Sequence, residues 1–155
     1  MLDFVKQTCN QERRPRCLQT LDPAHALLEK ARAAGATVIY SVTAVSTAAD
    51  VLPPVAPRPD EHVVQSTPDK FLNTDLDATL KAGGIKTVVA MGTAIHGAIL
   101  NTAAQAAMRG YQVVLPEDTV SGDDPYTEQA VITVMLTGPT MAARTVLSRS
   151  DLISF

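Results

Sequence analysis

Apolar and polar positions alternate between two periods along this chain, and the switches between them outline its elements. Met1–Val5 is apolar apart from Asp3 and reads as a very short strand. Gln7–Thr20 is polar, with Arg and Pro, and reads as a loop. Asp22-Pro23 has the form of a helix start, with Asp as cap and Pro in the first turn. Ala24, Leu27, Leu28 and Ala31 follow the spacing of one buried helix face, and Gly35 closes it. Thr37–Val42 is β-branched and aromatic, as strands are. Val51–Pro59 holds four prolines and predicts a rigid, irregular connection.

The second half repeats this rhythm. His62–Gln65 is a short strand, and Thr74 with Asp77 resembles a capping box ahead of Leu76 and Leu80. Gly83-Gly84 ends that helix. Lys86–Met91 has an unbroken apolar core, as in a sheet covered on both faces. Gly97–Arg109 predicts an alanine-rich helix, and Tyr111–Leu115 a strand. Asp124-Pro125 caps a helix to about Leu136, and Ala143–Leu147 is a last strand. Strands alternating with helices imply a mainly parallel sheet of six strands, with helices on both sides. A length of 155 residues suits one domain over 1–155.

Composition narrows the classes. Hydrophobic residues at 46% and charged residues at 19% describe a globular chain. A formal net charge of −3 with no basic block argues against nucleic acid as a partner. The cluster Arg13, Arg14 and Arg16, broken by Pro15, reads as a solvated loop. No run approaches the roughly 18 apolar residues of a membrane span. Asp3 and Lys6 interrupt any signal-peptide core, so a cytoplasmic location is expected. Cys9 and Cys17 have no nearby His and are expected to be free thiols.

Candidate chemistry follows from the architecture, because parallel sheets bind ligands beyond the C-terminal ends of their strands. That rule selects Asp3, Gln65, Thr93–Ala98 and Asp118. Asp3 inside an apolar strand suits acid or base work, or else sits at a frayed terminus. His96, on the turn before the alanine-rich helix, is an acid, base or hydrogen-bond donor, or a helix-entry residue bonded to backbone. Lys70 is a cation within reach of the cleft or a surface lysine, and Phe71 a lid or core aromatic. Asp118 caps a turn.

Several segments in order resemble one family. They are Leu-Asp-Phe-Val, Ala-Arg-Ala-Ala-Gly-Ala-Thr-Val-Ile-Tyr, Asp-Lys-Phe-Leu-Asn-Thr-Asp-Leu, Gly-Thr-Ala-Ile-His-Gly-Ala-Ile-Leu-Asn-Thr-Ala and Arg-Gly-Tyr-Gln-Val-Val-Leu-Pro-Glu-Asp. The chain is similar over nearly its whole length to the isochorismatase-like superfamily, which includes nicotinamidases and carbamoyl amidases. The resemblance implies a Rossmann-like three-layer α/β/α fold with a parallel six-stranded sheet.

Amidases of that family use an Asp, Lys and Cys triad. The Asp matches Asp3. Counting back from Phe71 and Thr74 puts the Lys position on Gln65, and counting from Gly92 puts the Cys position on Ala98. One of three triad positions is therefore kept in place. The resemblance also implies oxyanion donors from the backbone of Ala94 and Ala98, with a cis bond at Thr93–Ala94. Thr93 and Gly97 complete the expected substrate contacts, with Gln65 and Phe71. The nicotinamidase metal site uses an Asp and two His. Ser41–Asp50 has no His, so neither metal nor other cofactor is expected.

Isochorismatases proper hydrolyse a vinyl ether without the Cys, and Asp3 with Ala98 fits that branch better. The expected function is thus a small-molecule hydrolase using Asp3, with His96 and Lys70 as auxiliary groups. The alternative is an inactive family member kept as a binding or interaction protein. A third reading makes Cys9, six residues beyond Asp3, a displaced nucleophile. The family implies a homo-oligomer, a dimer or tetramer, and Asp124–Leu136, apolar around most of its circumference, is the expected interface. Only Met1 and Leu2 precede Asp3, whereas the family has a longer first strand. A first strand this short would expose the end of the central strand.

Overall fold

The computed structural model describes residues 1–155. Its strands are β1 (Ile39–Thr43), β2 (His62–Ser66), β3 (Thr87–Val89), β4 (Gly92–Thr93), β5 (Gln112–Pro116), β6 (Val120–Ser121) and β7 (Thr145–Ser148). The α-helices are α1 (Pro15–Gln19), α2 (Leu21–Ala33), α3 (Leu76–Ala82), α4 (Leu100–Met108) and α5 (Pro125–Thr137). Every pair of strands runs parallel: β1 with β2, β3 with β5, β5 with β7, and β4 with β6.

These ladders are joined through the first three residues. Leu2 bridges both Ser41 and Gly92 in parallel. Its N–H donates to Met91 O at 2.8 Å, and its carbonyl accepts from Thr93 N–H at 3.0 Å. β3 and β4 are two pieces of one path, as are β5 and β6, so the sheet has six strand positions. In chain order they lie 3-2-1-4-5-6 across the sheet. The order reverses between Met1–Asp3 and β4, which is where doubly wound folds open a crevice.

Two apolar clusters cover the sheet. One gathers Leu76 and Leu80 of α3, Ala103 and Ala106 of α4, and Val131, Ile132 and Met135 of α5. The other gathers Ala24, Leu27 and Leu28 of α2 with Phe4, Tyr40 and Val42. The face Ala24, Leu27, Leu28, Ala31 read from the 3.6-residue period is the face that α2 buries.

The structure corrects several sequence expectations. The Gln7–Thr20 loop contains α1, which has Pro15 in its first turn. α2 accordingly begins at Leu21, and Asp22 is not its cap. Cys9 and Cys17 are not free: they form a disulfide with Cα atoms 5.4 Å apart, because α1 folds Cys17 back over the first loop. The Arg cluster is not a solvated loop. Arg14 is buried, with Nε donating to Asp123 at 2.8 Å, and Arg16 pairs with Glu128 at 2.6 Å. The Thr74–Asp77 capping box does not form. Thr74 donates to Lys70 O, while Asp77 accepts from Lys81 and Tyr111. The predicted helix from Gly97 opens earlier, as a π-type turn over Ile95–Ile99 that runs into α4. The Asp124 cap holds, accepting from Thr127 N–H at 2.9 Å. Asp118 accepts from Ser150 N–H and Oγ, tying the β5–β6 connection to the C-terminal turn.

Candidate active site

Asp3 ends the central segment. Its φ of 54° lies in the left-handed region, which Asp tolerates better than most residues. This turns the chain out of the sheet and points the carboxylate into the protein, where Asp3 is only 5% exposed. Gly92 makes the neighbouring approach possible. At its φ of 144° a Cβ would collide with the Leu2 carbonyl.

A buried carboxylate must be paired or neutralised. Lys70 Nζ lies 2.9 Å from Asp3 Oδ2, and Ser41 Oγ donates to Oδ1 at 2.9 Å. Lys70 is 1% exposed and also donates to the carbonyls of Val42 and Ser66, at 3.5 and 3.4 Å. Each oxygen of the carboxylate therefore has a donor, and the ammonium has three acceptors. Thr8 Oγ1 donates to the Asp3 carbonyl at 2.6 Å and fixes the exit of the segment. The pair sets a carboxyl group able to accept a proton 2.9 Å from a fixed cationic side chain.

Lys70 is thus no surface lysine. Gln65, the position reached by counting along the motif, is exposed on β2 and donates to Ser46 O at 2.7 Å. The ammonium at Asp3 comes from five residues further on, after the chain turns through Thr67-Pro68-Asp69. Ser41 was missed in the sequence. It lies directly opposite the central segment on β1, with its N–H donating to Met1 O at 2.8 Å.

The turn after β4 forms the other wall. The peptide bond between Thr93 and Ala94 is cis. Ala94 O accepts from the N–H groups of both Gly97 and Ile99, at 3.0 and 3.2 Å. Thr93 is fully buried and donates to Ser121 O at 3.3 Å. Ala98 is 4% exposed and offers no nucleophilic atom. The structure does not bring His96 to Asp3. His96 is exposed, with Nε2 3.7 Å from Asp123 Oδ2, and so joins Arg14 around Asp123. No sequence signal separated Arg14 from its exposed neighbour Arg13. Phe71 is buried against Tyr111, with ring centroids 6.3 Å apart and Arg109 4.6 Å from its own, as a core aromatic rather than a lid. Cys9 is 1% exposed and bonded to Cys17, which removes it as a displaced nucleophile.

No three His, Cys, Asp or Glu side chains converge in a way that would hold a metal ion. No helix is long and apolar enough to cross a membrane. A cavity of about 490 Å³ reaches Ser41 and Lys70 at one end but touches none of Thr93–Ala98. It lies beneath the ion pair, between the strands, and not above the turn.

A family model described as "Isochorismatase domain" matches residues 1–146. A streptothricin hydrolase from Streptomyces noursei is 35% identical over 114 residues, which are 67% of this chain and 41% of that protein. The secreted isochorismatase effector Isc1 of Verticillium dahliae is 33% identical over 109 residues, 63% of this chain and 57% of that protein. The matched stretches thus span roughly half the length of these relatives. An isochorismatase-like hydrolase from Alkaliphilus metalliredigens superposes with a TM-score of 0.87 at 21% identity, covering 97% of this chain and 92% of that one. At that identity the likeness speaks for the fold.

Proposed function

The chain belongs to the isochorismatase family, and from that premise we propose that residues 1–155 act as one domain that hydrolyses a small molecule by cysteine-independent acid–base chemistry through Asp3. The observation that carries this reading is the buried Asp3–Lys70 pair, held by Ser41 at the point where the strand order reverses. Ala98 excludes a thioester at the family's nucleophile position. What remains is a proton acceptor, a fixed cation and a backbone turn.

The corresponding reaction needs only water. On an amide, the Asp3 carboxylate takes a proton from a water molecule, whose oxygen bonds to the carbonyl carbon; on a vinyl ether, the Asp3 carboxyl first protonates the vinyl carbon, and water adds to the oxocarbenium carbon and returns a proton to Asp3. The bond to the leaving group then breaks, and the Asp3 carboxyl returns the proton to that group. Lys70 offsets the negative charge on Asp3 before and after the transfer. The N–H groups of Ala94 and Ala98 are assigned to the developing oxyanion, with Thr93 and Gly97 framing them. His96 is assigned to the rim, where it meets the substrate as it enters. Gln65 and Phe71, given their positions, act through the walls rather than at the reacting atoms. Oligomerisation through α5 belongs to the same proposal, since Tyr126 and Val134 expose apolar surface there.

The test is a panel of vinyl ethers, small amides and streptothricin, the last prompted by the hydrolase relative. Asp3→Asn keeps the volume, removes the proton transfer, and should lower kcat by about 10²–10⁴. Cys9→Ser should leave the chemical step unchanged. Turnover unaffected by Asp3→Asn would overturn the assignment. Ala98 also supports the second reading, a family member retained for binding. Inactivity across the panel, with a tight partner recovered by the wild-type protein, would favour that reading.

A further inference from the structure

The sheet ties Asp3 to the turn after β4 by one last ladder bond, from Thr93 N–H to Leu2 O at 3.0 Å. Beyond that bond the two chains part. Asp3 leaves the sheet at a φ of 54°, and the other chain winds into the turn over Ile95–Ile99. The proposed hydrolysis needs the Asp3 carboxyl and the N–H groups of Ala94 and Ala98 at a fixed spacing, so a contact past the ladder has to hold them. A non-glycine residue in the left-handed region also persists only where its surroundings enforce it.

Arg14 makes that contact. It is buried, while Arg13 and Pro15 on either side are exposed. On one side its Nη1 donates to Thr8 O at 3.1 Å, and Thr8 Oγ1 donates to the carbonyls of Asp3 and Val5, at 2.6 and 3.1 Å. On the other side Nε and Nη2 both lie 2.8 Å from Asp123 Oδ1. Asp123 stands just past β6, and β6 pairs with β4 through Gly92–Val120 and Thr93–Ser121. The second oxygen of Asp123 lies 3.7 Å from Nε2 of His96, on the oxyanion turn itself. One guanidinium therefore spans from the loop that fixes Asp3 to the loop beside the turn. Its planar fork carries donors on opposite edges, which a single ammonium does not. Burying that charge costs free energy that a solvated loop would avoid, so its placement calls for a reason.

We propose that Arg14 is a positioning residue, a brace that sets the spacing between the Asp3 carboxyl and the Ala94–Ala98 turn through Thr8 and Asp123. Its catalytic consequence rests on the acid–base reading, whereas the brace is a coupling between two loops. A displacement of about 1 Å at such a site costs roughly 10²-fold in rate. Arg16 supplies the contrast. It pairs with Glu128, which also accepts from Gly122 N–H at 2.9 Å, so it ties α1 to α5 rather than to the Asp3 exit.

The test reads coupling first and turnover second. Arg14→Lys keeps the charge but cannot span both partners. Asp123→Ala removes the far partner at an exposed position, where the fold is less at risk. Hydrogen exchange follows Thr8 N–H, bonded to Val5 O, and the N–H groups of Gly97 and Ile99, both bonded to Ala94 O. Arg14→Lys should speed exchange at Gly97 and Ile99 by about fivefold or more, and Asp123→Ala should do so at Thr8, with the amides of α2 unchanged. On the panel member that the intact protein turns over, kcat should fall about 10–10²-fold in either variant, with KM within about threefold. Arg16→Gln is the control and should leave both readouts unchanged. Faster exchange confined to the loop that carries the substitution overturns the proposal. So does an unchanged kcat, or an equal loss in Arg16→Gln. A wild-type protein that turns over no panel member counts against the acid–base reading, and the brace then stands or falls on the exchange alone.

Discussion

At the exit end of the Met1–Asp3 segment, a carboxylate and an ammonium are removed from water, and each finds its partners: Asp3 meets Lys70 and Ser41, and Lys70 also meets two carbonyls. At the entry end, some two residues away, the Met1 amino group donates to the Ile39 carbonyl among apolar side chains. The polar end is matched group by group, whereas the other end is surrounded by apolar side chains. β1 with β2, and β3 with β5 and β7, carry their own ladders, with α2 packed over one face and α3–α5 over the other. The central segment then has to supply one bridging residue, Leu2, and one functional group, Asp3.

The largest effect that would break this comparison concerns Lys70. Lys70→Met keeps the volume but strands the Asp3 carboxylate, and should cost about 3–5 kcal/mol of stability by denaturant titration, together with most of the activity. The double variant Asp3→Asn with Lys70→Met should recover much of that stability. A cost below about 1 kcal/mol for the single change would mean that the charges are not matched by each other.

A smaller effect tests the entry end. Burial pushes the Met1 amino group down to about 6 from 8.0, against the opposing pull of Asp3 and Glu61. Between these values the unfolded chain holds more protons than the folded one, so stability rises with pH across the window from 6 to 8. The gain should approach roughly 2–3 kcal/mol and level off outside that window. Melting curves at fixed ionic strength check it, and acetylation of the Met1 amine should flatten the profile. A profile that stays sloped after acetylation would assign the effect to other groups.

The smallest expected effect sharpens the exit end. Gln65→Ala removes one partly buried hydrogen bond to Ser46 O and should change stability by no more than about 1 kcal/mol, with kcat unaltered. A loss comparable to that of Lys70→Met would restore position 65 to the site.

These contrasts show which parts of the molecule were legible in advance. Periodicity found the buried face of α2, because a 3.6-residue repeat of Ala and Leu has one way to leave water. The unbroken apolar run through Val88–Met91 marked a strand covered on both sides, and alternating elements implied the parallel order. The segments that carry the family resemblance, and Asp3 as the acid within an apolar strand, were likewise on the surface of the sequence. These are local properties, written within a dozen residues.

What the tertiary structure decided involves reach and return. Motif spacing counts backbone positions and assigned the cation to Gln65, but a lysine side chain spans several ångströms, and Lys70 delivers its ammonium from a different point on the chain. Cys9 and Cys17 read as free thiols because nothing in a polar stretch announces α1, whose fold brings their Cα atoms to 5.4 Å. Arg14 and Arg13 are indistinguishable by type, and only the arrival of Asp123 from 109 residues away buries one of them. Leu2 joins Ser41 and Gly92, which lie far apart along the chain, a pairing that no local pattern announces.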